Sequence, residues 1–333
     1  MSRAVVAGPA ARRGWRLDLP TLAPFFALGL LILLGAAVNL RFLDPQNLTN
    51  VVTRSAFMVV IGVGATFVIA GGGLDLSVGS MSAFVGGLMI LAMNAVPTQD
   101  MAAAIAVGGA VALGGGALCG LGNGVITTAG RIEPFIVTLG TMGVFRALIT
   151  NLAQGGALSL NSDAMQAALR PIYFGTVVGI PVPVLVFLAV AAIGWVVLNR
   201  TPFGRHCVAI GANEDVARYS GVAIGRVRCI TYVIQGVCVG VATMLYVPRL
   251  SSVTPGSGLL WELQAITAVV IGGTPLRGGA GRIWGTVAGA VILEMVANIM
   301  VLSNLVSEYL IGAVQGAIII IAMLVQRELA RRG

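Results

Sequence analysis

A series of apolar segments runs along most of this chain, and their length constrains the fold more than any other feature. An α-helix needs about 20 apolar residues to cross the hydrocarbon core of a bilayer. Only 10% of the residues are charged, against about 25% in soluble domains. We therefore expect an all-α polytopic membrane protein. The sequence predicts ten transmembrane helices, of which the eighth is short, at residues 21–40, 51–70, 77–96, 101–128, 134–152, 181–199, 229–247, 263–273, 283–302 and 309–325.

The distribution of arginine predicts how these helices are oriented. Ten crossings place both termini on the same side, and the chain has twenty basic residues, all of them arginine. Fifteen fall on the side of the termini, four fall on the opposite side, and Arg146 lies within a segment. Because basic residues accumulate in cytoplasmic loops, both termini are predicted to be cytoplasmic. We expect a tail at residues 1–20, one transmembrane domain at 21–326 with a cytoplasmic loop at 200–228, and a second tail at 327–333.

A glycine-rich stretch, AGGGLDLSVGS at residues 70–80, separates the second and third segments. Three successive glycines each cost a helix interior roughly 1 kcal/mol relative to alanine, so the helix is predicted to break there. Asp75 lies in this stretch, and a carboxylate at membrane depth is costly and therefore a candidate for function. Two interpretations stay open. One is a tight cytoplasmic turn with a hydrated Asp75, and the other is a broken segment that is buried in protein or lines a wet cavity.

A similar pattern recurs late in the chain. Residues 66–93 resemble residues 267–295 with one residue of offset inside the turn, since both read as helix, Gly-Gly, leucine, glycine and helix. The likeness is either an internal repeat, whose two hairpins would flank a common axis, or a chance similarity of two glycine-rich segments.

The composition argues against several functions. A Walker-type phosphate-binding loop requires a lysine, and the chain has none, so it is not expected to hydrolyse ATP by itself. Its single histidine and four cysteines match neither a zinc site nor a disulfide framework, and no metal or cofactor is expected. One histidine serves no convincing catalytic set, so an enzyme is not expected. The sparse aromatic residues form no basic platform for nucleic acid.

The charged loop at residues 200–228 contains a helix signal. Asn213 is a suitable N-cap, Glu214 and Asp215 suit the first turn, and Gly221 is a suitable C-terminal stop. This pattern predicts a helix of about two turns outside the membrane. It is either an ordinary solvated helix or a docking helix for a cytoplasmic partner.

Two charged residues lie within predicted transmembrane segments, Arg146 in the fifth and Glu294 in the ninth. A buried ion pair between them is the simplest way to tolerate both charges. Alternatively, Arg146 extends its guanidinium to the membrane surface, and Glu294 faces a pore and hydrogen-bonds hydroxyl groups.

Four segments carry a resemblance to a known family. Residues 72–80 (GGLDLSVGS) resemble the signature Gly-Gly-Ile/Leu-Asp-Leu-Ser-Val-Gly of the ribose-type permeases of bacterial ATP-binding-cassette importers. Further segments resemble that family in the same order, at residues 134–140, 204–221 and 265–279. Two departures are Ala212, where family members often have a second glycine, and Thr274-Pro275, which interrupts the later glycine run. The likeness spans nearly the whole chain.

The resemblance implies the permease subunit of an importer in the bacterial inner membrane, with the permease fold of that family. Besides membrane lipid, it implies a cytoplasmic ATPase that carries Mg-ATP, an extracytoplasmic sugar-binding protein, and a second permease that is identical or paralogous. The cargo would be a monosaccharide, with an autoinducer or a nucleoside as alternatives within the family. Outside the family, an ion-coupled secondary transporter would also show ten spans and a broken helix.

The resemblance also marks candidate site residues. The loop expected to dock on the ATPase includes Gly204, Arg205, Gly211, Asn213, Glu214, Ala217, Ser220 and Gly221. The expected gate and family motif include Gly72, Gly73, Asp75, Ser77, Gly79, Gly272, Gly273, Gly278 and Gly279.

Overall fold

The computed structural model describes residues 19–97 and 100–303, together with positions 310, 312–314, 316–317 and 320. A 3₁₀ turn lies at Leu40–Leu43. The helices are α1 (Leu19–Val38), α2 (Pro45–Ala70), α3 (Val78–Asn94), α4 (Met101–Ala129), α5 (Pro134–Leu152), α6 (Asp163–Phe174), α7 (Val182–Arg200), α8 (Pro202–Ala212), α9 (Glu214–Tyr219), α10 (Ile224–Leu250), α11 (Trp261–Ile271) and α12 (Ile283–Ser303). Four two-residue strands are β1 (Leu158–Ser159), β2 (Thr176–Val177), β3 (Ile180–Pro181) and β4 (Ser252–Val253).

Nine of the ten predicted apolar segments contain a helix in the described part of the chain. Six of these helices are long and apolar enough to cross a membrane, namely α2, α4, α5, α7, α10 and α12. The apolar parts of α1, α3 and α11 are shorter. Most of the tenth predicted segment, 309–325, lies outside the described residues, as do residues 1–18 and 327–333 of the predicted tails. The count of ten spans and the orientation of the termini therefore remain predictions.

Helix α2 occupies the centre of the bundle. Nearly every side chain between Ser55 and Ala70 is buried, and α2 packs against α7, α10, α11 and α12. Helix α10 also packs against α4 through glycines. A Cβ atom on Gly116 or Gly120 of α4 would overlap a backbone carbonyl of α10. Small residues thus allow these two helices to approach closely, as they do in other helical membrane proteins.

The polar connection between α5 and α7 is ordered. It holds α6, which buries Met165, Leu169 and Tyr173 on one face. Strand β1 pairs antiparallel with β4, and β2 pairs antiparallel with β3. A search for membrane-length apolar runs misses α6 because only one face of this helix is apolar.

The loop at residues 200–228 contains a second helix, α8, in front of the predicted α9. Thr201 caps α8 by accepting a hydrogen bond from the amide of Gly204 at 3.3 Å, and Pro202 stands at its first position. Helix α10 begins at Ile224, five residues before the predicted start of its apolar segment at Cys229. A helix satisfies its backbone groups in water as well as in lipid, so α10 continues beyond its apolar part.

Candidate functional site

Helix α2 ends at Ala70, as the glycine-rich stretch predicts, and the chain follows a non-helical path to α3. Gly72 has a φ of +78°, which a left-handed C-cap requires. The amides of Gly72 and Gly73 donate to the carbonyls of Ile69 and Val68 at 2.9 Å. Local backbone hydrogen bonds therefore close the helix end.

Helix α11 ends in the same way. Gly273 has a φ of +84°, and the amides of Gly273 and Thr274 donate to the carbonyls of Val270 and Val269 at 2.9 Å and 3.1 Å. The first half of the predicted repeat, a helix and its glycine cap, thus occurs twice in the structure.

The second halves of the repeat differ. Helix α12 packs against α11, whereas α3 packs mainly against α4, α5 and α10. The connection at residues 272–282 is also longer than the one at 71–77. The expected offset of one residue is therefore wrong, and the two hairpins are not equivalent in packing.

Three predicted segments meet in a backbone contact that we call the glycine junction, formed by Ala70, Gly72, Gly211, Gly278 and Gly279. The amide of Gly279 donates to the carbonyl of Ala70 at 3.0 Å. A Cβ atom on Gly211 of α8 would overlap that same carbonyl. One on Gly278 would lie 2.9 Å from the amide nitrogen of Gly72 and 3.0 Å from the Cα of Gly211. Backbone touches backbone here, with no side chain in between.

Cys207 attaches α8 to α2 beside the glycine junction. Its thiol donates to the carbonyl of Phe67 at 3.2 Å, and it is fully buried in a small apolar cluster with Ile210 and Ala217. Burial raises the pKa of Cys207 to about 12, so the thiol stays protonated and remains a donor. This cysteine has a structural role.

The predicted helix start at Asn213 is confirmed. The Asn213 side chain accepts a hydrogen bond from the amide of Val216 at 3.0 Å. Glu214 accepts from Arg218 at 2.7 Å and from Arg228 of α10 at 2.8 Å. The hydrogen bond from Arg228 holds the pKa of Glu214 below its usual value. Glu214 thereby connects α9 to the start of α10.

The remaining residues of the predicted docking loop fall into two groups. Gly204 and Ala217 are buried and position the helices, and Gly221 has the φ of +80° that ends α9. Arg205 and Ser220 are exposed. The most exposed apolar groups of this loop, Tyr219 at 91% and Val216 at 59%, have no distinctive signal in the sequence.

Asp75 lies inside the protein and not at a hydrated surface. Its side chain is 7% exposed, and its Oδ1 accepts hydrogen bonds from the Ser77 amide at 2.8 Å and from the Ser77 hydroxyl at 2.7 Å. The side-chain amide of Asn123, which lies on α4, donates to the same hydroxyl at 2.9 Å. The interpretation as a tight surface turn is wrong, and the interpretation as a broken, buried segment holds.

Side chains of neighbouring helices complete the hydrogen bonding of this broken segment. The carbonyl of Leu74 accepts from Tyr232 of α10 at 3.1 Å and from Thr138 of α5 at 3.3 Å. Such partners are what non-helical backbone requires at membrane depth. Two buried oxygens beside it, Asp75 Oδ2 and Asn123 Oδ1, have no hydrogen-bond partner among the described residues.

A second non-helical segment, residues 254–260, reaches the start of α3. A Cβ atom on Gly79 would overlap the carbonyl of Gly258 and would lie 2.7 Å from a carboxylate oxygen of Glu262. The guanidinium of Arg146 donates to the carbonyls of Pro255 and Ser257, the latter at 2.7 Å. Arg146 thus fixes this segment against α5.

The expected ion pair between Arg146 and Glu294 does not form. The carboxylate that interacts electrostatically with Arg146 is Glu262. Glu294 interacts instead with Arg54 and Arg249. Arg146 instead donates to backbone carbonyls of the segment at 254–260.

Comparison with known proteins identifies the family. Residues 47–323 match the family described as the permease component of the branched-chain amino acid transport system. The chain belongs to this permease family. It is 37% identical over 312 residues to the ribose import permease RbsC of Bacillus subtilis, covering 92% of each chain. It is 34% identical over 316 residues to RbsC of Escherichia coli K12, covering 95% of each.

A third relative is the D-allose transport system permease AlsC of Escherichia coli K12, 33% identical over 309 residues that cover 92% of this chain and 91% of the relative. No solved structure matches the chain. The comparisons confirm the resemblance seen in the sequence. The protein is a multi-pass membrane permease of the ATP-binding-cassette importers, a transport component and not an enzyme.

Several residues of this permease that build the site carry only a weak sequence signal. Asn123 and Tyr232 are polar residues within long apolar segments, which is a reason to inspect them. Gly258, in a loop, and Glu262, in the first turn of α11, both approach Gly79 of α3, and no local sequence pattern indicates this contact. The ion pair of Arg228 with Glu214 at 2.8 Å joins residues fourteen positions apart, and helix spacing alone does not reveal it.

Proposed function

We propose that this permease is the conduit through which a monosaccharide of the ribose or allose type crosses the bacterial inner membrane. Relatives at 33–37% identity carry those cargoes in their names. Energy would come from ATP hydrolysis on a separate cytoplasmic subunit, because the chain has no lysine for a Walker-type loop. The sugar would be delivered by an extracytoplasmic binding protein.

The glycine junction is the observation that carries the mechanism. In our proposal, α8 and α9 dock on the ATPase through the exposed side chains of Val216 and Tyr219. Gly211 of α8 contacts the end of α2 and the segment before α12 through backbone alone. Packed backbone cannot absorb a displacement by changing rotamers, so a movement of α8 would pass directly to both segments.

The segments at residues 72–79 and 272–281 would form or brace the cytoplasmic gate. Both begin with a glycine cap, and the hydrogen bond from Gly279 connects the second segment to Ala70, which ends the helix before the first. A displacement of α8 would then act on both sides of the gate together. Asp75 and its hydrogen bonds to Ser77 would hold the first segment in shape.

The end of the bundle that carries the glycine junction would face the cytoplasm. Most arginines outside the apolar segments belong to this side in the predicted topology. This orientation agrees with one transmembrane domain of ten spans at residues 21–326 and with two cytoplasmic tails. A second permease, identical or paralogous, would complete the pathway.

The docking proposal is tested in proteoliposomes that hold this permease with its ATPase and binding protein. The double variant Asn213→Ala/Glu214→Ala removes the cap of α9 and its ion pairs. We expect sugar-stimulated ATP hydrolysis to fall, while Asp163→Ala, in the first turn of α6, leaves it unchanged. Unchanged assembly and unchanged stimulated hydrolysis in the double variant would contradict docking at α9.

Cargo and energy source are tested separately. Uptake of labelled ribose, allose and autoinducer-2 by the complete importer ranks the three cargoes. Autoinducer-2 is included because this chain is 32% identical to permeases of Yersinia pseudotuberculosis that are named for its import, LsrD. Accumulation of any of them by the permease alone, driven by a proton or sodium gradient, would overturn the ATP-driven mechanism.

A further inference from the structure

A polar cleft of about 440 Å³ opens at the end of the bundle opposite the glycine junction. Helix α2 contributes Thr53 and Arg54, α6 contributes Tyr173, and the last turn of α10 contributes Arg249. Arg54 precedes Ala70 by sixteen residues on the same helix, a separation of about 24 Å. The cleft is therefore remote from the parts of the permease assigned to coupling and gating.

The charged side chains that line the cleft are those of Arg54 and Arg249. The guanidinium of Arg249 lies over the ring of Tyr173, 5.6 Å from its centroid. Arg54 and Arg249 both interact electrostatically with Glu294 of α12. In the described part of the chain, no salt bridge joins either arginine to a carboxylate. Their N–H groups are thus left for another partner.

The wall formed by α2 offers hydrogen-bond donors and acceptors side by side. The side-chain amide of Gln46 donates to the side-chain oxygen of Asn50 at 3.3 Å. The hydroxyls of Thr49 and Thr53 donate to helix carbonyls at 2.7 Å, so their oxygens remain acceptors. Together with the two arginines, these groups match a ligand whose hydroxyls both donate and accept.

We propose that this cleft is a binding site for a monosaccharide on its way into the permease, an inference that rests on the proposed function. Its volume lies in the range of about 300–1,000 Å³ typical of small-molecule sites. The ring of Phe174, which also lines the cleft and is 54% exposed, offers an apolar surface, and the surrounding polar groups bind hydroxyls. The hydroxyl and amide groups of Thr49, Thr53 and Asn50 lie beside the two arginines, and this mixture of donors and acceptors suits a neutral ligand with several hydroxyls.

The test measures occupancy of the cleft in the full-length permease, without its partners. Asn50 is exposed and lines the cleft, so the variant Asn50→Cys is labelled with a membrane-impermeant maleimide, and labelling of the parent chain is subtracted. D-Ribose is the probe. At about ten times its Kd, the sugar should slow labelling about tenfold by occupying the site.

Two controls separate binding from general effects. Val178 is 96% exposed at the tip of the β2–β3 turn, and Val178→Cys should be labelled at the same rate with or without sugar. Glycine betaine, an osmolyte without hydroxyl groups, should not protect Asn50→Cys. Protection should also be lost when Arg54→Gln and Arg249→Gln are combined with Asn50→Cys, and should persist with the exposed Arg41→Gln.

Other outcomes overturn the inference. Equal protection of both cysteines, no protection by ribose or allose, or protection that survives the arginine double variant each contradicts a sugar site. Protection by the unloaded binding protein, but not by sugar, would make the cleft a protein-docking surface. ATP-driven uptake without sugar protection would reject only the cleft, whereas protection without ATP-driven uptake would reject only the proposed function.

Discussion

The amide of Gly279 donates a hydrogen bond of 3.0 Å to the carbonyl oxygen of Ala70. This bond joins the end of α2 to the segment before α12, and Gly211 of α8 lies directly against it. Every group at this point belongs to the backbone. Coupling between α8 and the membrane helices therefore depends on how closely three backbone segments approach.

Replacement of Gly211 by alanine should separate α8 from the glycine junction. The new Cβ atom would overlap the carbonyl of Ala70 and lie 2.5 Å from the amide of Gly279. Overpacking of this kind costs about 1–3 kcal/mol. We expect Gly211→Ala to lower the thermal unfolding temperature in detergent and to weaken sugar-stimulated ATP hydrolysis more than assembly with the ATPase.

Gly225→Ala is the matched control for Gly211→Ala. A Cβ atom at Gly225 meets only Thr128, at an ordinary 3.8 Å, so stability should not fall and stimulated hydrolysis should be unchanged. If both variants behave alike, the close approach at Gly211 does not matter for coupling.

Helix α4 allows a comparison of two glycines within one turn. A Cβ atom on Gly120 would overlap the carbonyl of Tyr232, whereas one on Gly122 meets nothing within 4 Å. Gly120→Ala should destabilise the permease by about 1–3 kcal/mol, and Gly122→Ala should stabilise it by up to about 1 kcal/mol through helix propensity. Chemical unfolding of both variants in the same detergent checks this order, and the reverse order would refute the α4–α10 contact.

The ion pairs of Glu214 should make part of the stability depend on pH. Because Arg228 holds the pKa of Glu214 below its ordinary value of 4.5, the folded state favours the carboxylate. The contribution is therefore fully present above the unfolded pKa and is lost as the pH falls through the folded pKa. An exposed network of this kind is worth about 0.2–1 kcal/mol.

The difference in melting temperature between the parent chain and Glu214→Gln measures this contribution. The difference should be constant from neutral pH down to the pKa that Glu214 has in the unfolded chain, and it should vanish below the pKa that Glu214 has in the folded protein. Asp215→Asn is the control, since Asp215 is 80% exposed and lies 3.8 Å from Arg218. A difference that grows as the pH falls would contradict the assignment.

Exchange of charges between Arg146 and Glu294 should fail to restore transport. Arg146 donates to the carbonyls of Pro255 and Ser257, and a carboxylate cannot replace those bonds. Glu294 lies near Arg54 and Arg249, so arginine at position 294 would add a third positive charge. Uptake by the variant Arg146→Glu/Glu294→Arg should equal that of the less active single variant. Uptake higher than that of both single variants would instead support a direct ion pair between the two residues.

The apolar segments predict ten helices because the bilayer fixes their length, and nine of these segments contain a helix in the described part of the chain. The break after Ala70 follows from the conformational cost of three glycines. The cap of α9 at Asn213 is predicted for a similar reason, since capping is a local interaction. Helix α6 has one apolar face only and leaves no membrane-length signal. Features that depend on local interactions can thus be predicted from the sequence.

Contacts between distant segments are not readable in the same way. Arg146 binds carbonyls more than one hundred residues away, and no local pattern shows which loop folds back to it. The glycines of the glycine junction are visible in the sequence, because they occur in three recognisable motifs. That these motifs touch one another is a property of the packed helices.

Two substitutions of Asp75 distinguish the contribution of its hydrogen bonds to stability from the contribution of its charge. Asp75→Asn keeps an oxygen that can accept both bonds from Ser77 and places an amide where the unpartnered Oδ2 lies. We expect it to fold with stability close to that of the parent chain. Asp75→Ala leaves the amide and hydroxyl of Ser77 without that acceptor in a buried site and should cost about 1–3 kcal/mol. Unfolding measured by intrinsic tryptophan fluorescence compares the two variants, with Asp163→Asn on α6 as the control. Equal losses for asparagine and alanine would show that the charge of Asp75, and not its hydrogen bonds, holds the broken segment in place.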